Sequence, residues 1–449
     1  MKIKFIIVLV LFSIGSVTAQ MKKWTLQECV DYAYENNLSI EQFELDLESI
    51  KLDKSDAIGG FLPSLSASST LSGNTGLSFD PTNNQPVTTT IVTASGGLSS
   101  SAVLFDGLRN IHRLNRAKLA ALASQYRLED LKDDIGLSVA NGYLQILLNK
   151  ESLVVFRAQY AVTEQDLKRT KELVESGVVP QGDLLEVEAT AATQEQQIVN
   201  AENLVFISRI NLAQLLQITD YDNFDIVDQE FMVPPSNILD NSPKTIFDKA
   251  LTFRNDIKLA ESNVDVAEKD LDIAKGALYP TLRGFFNYNT RYSDQPSFDP
   301  STNTFMTTSF GDQLWMNDGI SYGAQLSIPI FNGFSVKNNI KRSEINVDRS
   351  RLQLEQDKLA LEANVNQAYA DVKNSYKSYE AAQKTLEARK TAYEYTRERF
   401  EVGLMNAFDF SQSQARVDNA EADLIRTKYD YIFRLKVLEF YFGIPITVN

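Results

Sequence analysis

The chain has 449 residues, a formal net charge of −15, one histidine and one cysteine. A lone histidine and a lone cysteine close off histidine-based triads, His-rich metal centres and any intrachain disulfide. The acidic balance argues against nucleic acid as a partner and suits a surface or lumen that favours cations.

At the N-terminus, Lys2 and Lys4 precede an apolar run from Phe5 to Phe12, and Val17-Thr18-Ala19 offers a small-residue cleavage site. Residues 1–19 therefore read as a secretory signal peptide, because the run is too short for a membrane anchor. No later run approaches the ~20 apolar residues of a membrane helix. A helical membrane protein is excluded. A β-barrel is not, since alternating strands escape hydropathy.

The rest of the chain is one plan used twice. At an offset of 217, Ala33 matches Ala250, Ile40 matches Ile257, Asp53 matches Asp270, and Pro63 matches Pro280. The offset then becomes 226: Phe105-Asp106-Gly107 matches Phe331-Asn332-Gly333, Arg116 matches Arg342, Gly177 matches Gly403, Asp183 matches Asp409, and Ile218 matches Ile444. The ordered series marks a duplicated unit of about 220 residues, with an insertion in one polar region of a half. The first repeat occupies 20–218 and the second 244–449. Between them lies a linker, 219–243, where Asp, Asn and Pro234-Pro235 gather and periodicity vanishes.

Within the first repeat, two short helices are expected at about 25–36 and 39–58. Thr25-Leu26-Gln27-Glu28 has capping-box spacing. Cys29 reads as a buried small apolar residue of the opening helix. A β-hairpin follows at about 62–105, then a long helical hairpin at about 107–217. The second repeat places its β-hairpin at about 279–331 and its helical hairpin at about 333–442. Ile320, Tyr322, Ala324, Leu326, Ile328 and Ile330 alternate with small polar residues, as do Val92, Ala94, Leu98, Ala102 and Leu104. Such alternation fits strands with one apolar and one wet face, and equally an ordinary half-buried sheet.

The helices decide between these. From Gly333 to Phe400 there is no proline, and Val365, Val372, Tyr379, Leu386, Tyr393 and Phe400 recur every seven residues. Ala368, Ser375 and Ala382 supply small partners for knobs-into-holes packing. A helix of that length would extend about 100 Å, too long for one globular core. Four strands cannot close a barrel, and their edges are unacceptable in lipid. Several chains must pool them: two copies give eight strands and no pore, three give twelve and a lumen. The fold class expected is an internally duplicated α+β membrane protein. Enzyme function is not expected, because no constellation of nucleophile, base and metal ligands appears. No cofactor or metal is called for.

The signal peptide, the duplicated strand–helix plan, the Phe-Asp-Gly and Phe-Asn-Gly joins, and two glycine breaks each followed by aspartate at plus six together resemble the TolC-type outer-membrane efflux family. The resemblance covers the mature chain. It implies a homotrimer with a 12-stranded barrel in the outer membrane and an α-helical tunnel through the periplasm. It further implies a periplasmic adaptor and, through it, an inner-membrane pump. Localisation follows as the outer membrane with a large periplasmic portion.

Both glycine breaks read as turns of helical hairpins, with Pro180 starting the next helix and Asp183 and Asp409 as candidate caps. The resemblance adds a second role: Gly177, Val178, Val402, Gly403 and Leu404 would contact the adaptor. Asp409 and, three residues on, Gln412 would stand at the constriction, with Asp183 and Glu186 from the first half. Relatives often carry charge where this chain has Met405 and Gln412, so an electrostatic latch at that spot is not expected. A periplasmic adaptor and a poreless coiled-coil scaffold are the alternatives. An adaptor carries one long hairpin beside a compact β domain, whereas this chain carries two, and a scaffold leaves the alternating strands unexplained.

Overall fold

The computed structural model describes residues 22–79, 85–228, 233 and 237–444. The expected signal peptide lies outside them. Strand β1 (Lys23–Trp24) leads into α1 (Leu26–Asn36), α2 (Leu38–Gly59), the strands β2 (Ser64–Phe79) and β3 (Pro86–Phe105), and the helices α3 (Arg109–Glu175) and α4 (Gln181–Leu215). The second repeat gives α5 (Pro243–Phe253), α6 (Asn255–Gly276), the strands β5 (Thr281–Ser293) and β8 (Gly319–Ser327), and the helices α8 (Ser335–Glu401) and α9 (Ala407–Tyr441). The helix lengths recur in order: 11 and 11 residues for α1 and α5, 22 and 22 for α2 and α6, 67 and 67 for α3 and α8, 35 and 35 for α4 and α9.

Two segments are richer than expected. The linker holds β4 (Asp225–Ile226), which pairs in parallel with β1, and a 3-10 turn at Ile238–Asp240. Phe224 and Ile226 are buried there, and the Arg209 guanidinium donates to the Phe224 carbonyl at 2.7 Å. The second hairpin is interrupted between β5 and β8 by a small hairpin, β6 (Ser297–Asp299) with β7 (Thr304–Met306), and by the helix α7 (Phe310–Met316).

The chain divides into two units, to both of which α3 and α8 contribute. Unit one is Met1–Leu45, Tyr126–Ile257 and Gln356–Asn449. Its first helix opens with the expected capping box, Thr25 with Glu28, and buries Cys29, whose thiol burial pushes up to about 12. On α8 the buried positions Leu361, Val365, Val372 and Ser375 lie on the heptad seam read from sequence. That seam packs on α9: Tyr379 stacks on Tyr431 at 6.4 Å, Tyr393 on Phe410 at 5.6 Å, and Phe400 on Phe410 at 4.4 Å. Burying each such aliphatic or aromatic side chain contributes roughly 1.5–3 kcal/mol. No described helix is long and apolar enough to cross a membrane.

Unit two is Asp46–Gln125 and Lys258–Glu355. Its strands form one antiparallel sheet of order β2-β3-β5-β8. Register sorts the side chains by face. Across one face run Leu65, Leu71, Leu98, Phe286, Tyr288, Ile320, Tyr322 and Leu326; across the other run Ser66, Ser99, Asn287 and Ser321. On that polar face the hydroxyls of Ser66 and Ser99 meet at 2.7 Å and those of Ser72 and Thr93 at 2.9 Å. The apolar face is left exposed, with Leu65, Leu71, Tyr322 and Leu326 bare. So are both edges, β2 and β8.

Candidate functional site: the two helix turns

α3 and α8 end in the same hydrogen-bonded turn. Gly177 has φ +72° and Gly403 has φ +77°, a backbone region that penalises any side chain. The N–H of Val178 returns to the Leu173 carbonyl and that of Gly177 to Val174, both at 2.9 Å. Leu404 returns likewise to Arg399 at 2.9 Å and Gly403 to Phe400 at 3.0 Å. These are Schellman turns, which satisfy the last free carbonyls of each helix. They leave Val178, Val402 and Leu404 at the apex, 67%, 70% and 71% exposed.

The aspartates at plus six are not caps. Asn406 caps α9, its side chain accepting the Asp409 N–H at 2.8 Å, and Pro180 occupies the cap of α4 without a side-chain bond. Asp183 and Asp409 stand one step further in, in the first turn of each helix. There the free N–H groups and the helix dipole favour a negative charge. Asp409 is exposed and Asp183 half-buried. Glu186 and Gln412 come together, one from each repeat, in a groove of about 340 Å³ between α4 and α9, which Phe408, Gln194 and Asp418 also line.

Sequence reasoning missed the polar contacts that tie one hairpin to the other. Near the turns Glu401 of α8 pairs with Arg169 of α3 at 3.5 Å and with Arg397 at 3.2 Å. Further along, Gln414 donates to Thr163 at 2.8 Å, Gln159 to Glu421 at 2.8 Å, and Gln194 to Asp418 at 2.9 Å. Lys428 and Tyr429 both reach Glu151. Burial pushes the Asp418 carboxyl up to about 6, against the pull of its bond from Gln194. Burial likewise raises Asp166, with Arg397 and Arg169 opposing. Among the described residues no group of three or more metal-ligating side chains gathers.

The model of the family "Outer membrane efflux protein" matches residues 30–216 and 246–443, one stretch in each repeat. The chain belongs to this family. Membership places it in the outer membrane. Among curated relatives, the outer membrane protein TolC of Vibrio cholerae is 22% identical over 305 residues, covering 68% of this chain and 66% of its own length. The proteases secretion protein PrtF of Dickeya chrysanthemi is 22% identical over 239 residues, 49% of this chain and 45% of its own length. The chain thus spans less than two thirds of either relative. Among solved structures, the CmeC outer membrane channel of Campylobacter jejuni superposes with a TM-score of 0.77 at 18% identity, over 93% of this chain and 86% of that one. At that identity the likeness is one of fold.

Proposed function

We propose that the protein is the outer-membrane exit duct of a tripartite efflux or secretion system, working as a ring of three copies. The observation that carries this is the sheet of unit two: one face apolar and bare, the other lined by hydroxyls, and both edges open. Such a sheet is acceptable in lipid only when further copies close it into a barrel. The polar face then lines a wet lumen.

The duplication says how the copies would meet. Inside the chain, Arg116 pairs with Asp270 at 2.6 Å. Their counterparts are Arg342 and Asp53, both exposed, neither with an ion-pair partner among the described residues. In a ring, Arg342 of one copy meets Asp53 of the next. Strand pairing transfers in the same way. Leu98 pairs with Tyr288 within the chain, so the repeat offsets set Ala324 against Leu71 of the next copy.

The turn residues Gly177, Val178, Val402, Gly403 and Leu404 would present the apolar apex to a periplasmic adaptor, and through it the duct would serve an inner-membrane pump. Asp409 and Gln412 of α9, with Asp183 and Glu186 of α4, would line the periplasmic mouth, and their three carboxylates would set its charge.

The test is oxidation of the double variant Ala324→Cys/Leu71→Cys in a Cys29→Ala background. Directly opposed strand residues have Cβ atoms about 4.5–5.5 Å apart, within reach of a disulfide after small adjustment. A ladder ending at three chains is expected, with neither single variant giving it. Monomer alone, together with no conductance in planar bilayers, would reject the duct.

A further inference from the structure

The helix α7 interrupts the second hairpin and has no counterpart among the described residues of the first repeat. It is pinned to the outer end of β5, where β8 has not yet begun. Gln313 donates to the Ser293 carbonyl at 2.9 Å and accepts its N–H at 3.0 Å, as a neighbouring strand would. Asn317 donates to the Arg291 carbonyl at 3.0 Å, and Thr290 to the Leu314 carbonyl at 2.6 Å. Phe310 packs edge-on against Tyr292, ring centroids 5.0 Å apart. With that much anchoring on about two turns of helix, the exposed side is held in place too. It carries Trp315 at 79% and Met316 at 74% exposure.

Tyr292 shares its face of the sheet with Tyr288, Phe286 and Leu326, so α7 continues the apolar face at its far end from the helices. Its height follows from the strand. β5 has 13 residues; at about 3.3 Å each and a tilt near 45° they rise about 30 Å. The apolar band of a membrane barrel is about 25 Å tall. The end of β5, and α7 with it, falls at the band's outer margin. There tryptophan is favoured, its ring in the acyl boundary and its N–H in the wet headgroup layer.

We infer that α7 is an interfacial anchor, which seats Trp315 and Met316 in the outer headgroup layer of the bilayer and holds the rim of the sheet at that depth. This rests on the reading of the sheet as membrane-embedded. The occupant is lipid rather than protein, because the exposed residues extend a face that reading already gives to lipid.

The chain has two tryptophans, Trp24 and Trp315. Replacing Trp24→Phe leaves Trp315 as the sole reporter. The full chain is reconstituted in phosphatidylcholine vesicles brominated either close to the headgroup or close to the chain end. Trp315 emission should be blue-shifted and lost preferentially with bromine close to the headgroup. Three results would overturn the inference. Quenching by aqueous iodide alone would put Trp315 in water. Quenching only by chain-end bromine would bury it too deep. Protection from every quencher would mean a neighbouring copy covers it. A second reporter, Tyr322→Trp with both natural tryptophans changed to Phe, sits mid-strand opposite Phe286. If it is quenched by chain-end bromine while Trp315 fails its test, the anchor is wrong and the barrel stands. If it also escapes lipid quenchers, the barrel reading itself has failed.

Discussion

Asp418 is a half-buried carboxylate whose loss of charge should stabilise the helical hairpins. Its carboxyl sits at about 6 rather than 3.8, chiefly through desolvation, with the Glu421 charge adding to it. A raised acid means the fold prefers the protonated form. The cost of ionising it is fully present above the folded value and disappears as the pH falls from about 6 towards 3.8. A shift of about two units corresponds to roughly 3 kcal/mol. Partial solvent access at the groove trims this to about 1–2 kcal/mol. Asp418→Asn removes the charge and keeps the bond, since its amide oxygen still accepts from Gln194.

The assay is thermal melting of the helical circular dichroism signal, with variant and wild type side by side. Near pH 8 the variant should melt higher, by roughly 1–2 °C, because the unfolding entropy grows with chain length at about 2.1 cal/mol/K per residue. Near pH 4.5 the difference should shrink towards zero, because the wild-type carboxyl is then protonated. A variant that melts at or below wild type near pH 8 would refute the reasoning. So would a difference that does not change with pH, which would show packing and not ionisation at work. Asp130, raised to about 6 by burial and the nearby Asp256, titrates in both proteins and cancels in the comparison.

Gly107→Ala and Gly333→Ala probe the duplication. Both glycines have positive φ, +71° and +61°, so each substitution costs about 1–2 kcal/mol of backbone strain. A Cβ on Gly107 would also overlap the Gly276 carbonyl, whereas Gly333 is open, as is Gly59, the counterpart of Gly276. Gly107→Ala should therefore prevent folding of unit two, while Gly333→Ala should give folded chains that fail to assemble in size-exclusion with light scattering. Normal assembly of Gly333→Ala would contradict the ring geometry. Asp409→Ala should reduce cation selectivity in single-channel recordings, and unchanged reversal potentials would remove Asp409 from the constriction.

What was legible in the sequence is what local rules encode. A seven-residue apolar period specifies the face of a helix, so the seam from Val365 to Phe400 could be read directly. A left-handed turn favours a glycine, so Gly177 and Gly403 announce the hairpin ends. The same turn closes α4 and α9, but at Gln217 and Gly443, with φ +61° and +83°; only the second shows itself by residue type. β1 and β4 pair two residues each across the length of a repeat, too short to carry a period. α7 lies in a polar stretch where Gln313 and Asn317 look like loop residues until they are seen bonded to β5. The capping role expected of Asp183 and Asp409 failed because position decides it: the cap belongs to whichever residue precedes the first helical turn, here Pro180 and Asn406.

The cross-hairpin contacts were invisible for a further reason, and it bears on how the periplasmic end would open. Thr163, Gln159 and Gln194 of the first repeat bond Gln414, Glu421 and Asp418 of the second. Applying the repeat offset to both sides sets Arg389 against Glu188, Thr385 against Glu195 and Ala420 against Ala192, so none of the three glutamine contacts is repeated. The contacts are asymmetric additions to a symmetric scaffold. Each is polar and reachable by water once the helices part, so each contributes a net ~0.5–1.5 kcal/mol. Charge at Met405 and Gln412 is not needed to hold the second hairpin against the first when Glu401 of α8 pairs with Arg169, and three amide contacts and Glu151 with Lys428 and Tyr429 tie α9 to α3 and α4. Under the proposed duct reading, a closure built from several weak links would yield to a partner that engages the apex and separates α8 and α9 from α3. No single substitution among those links should open it.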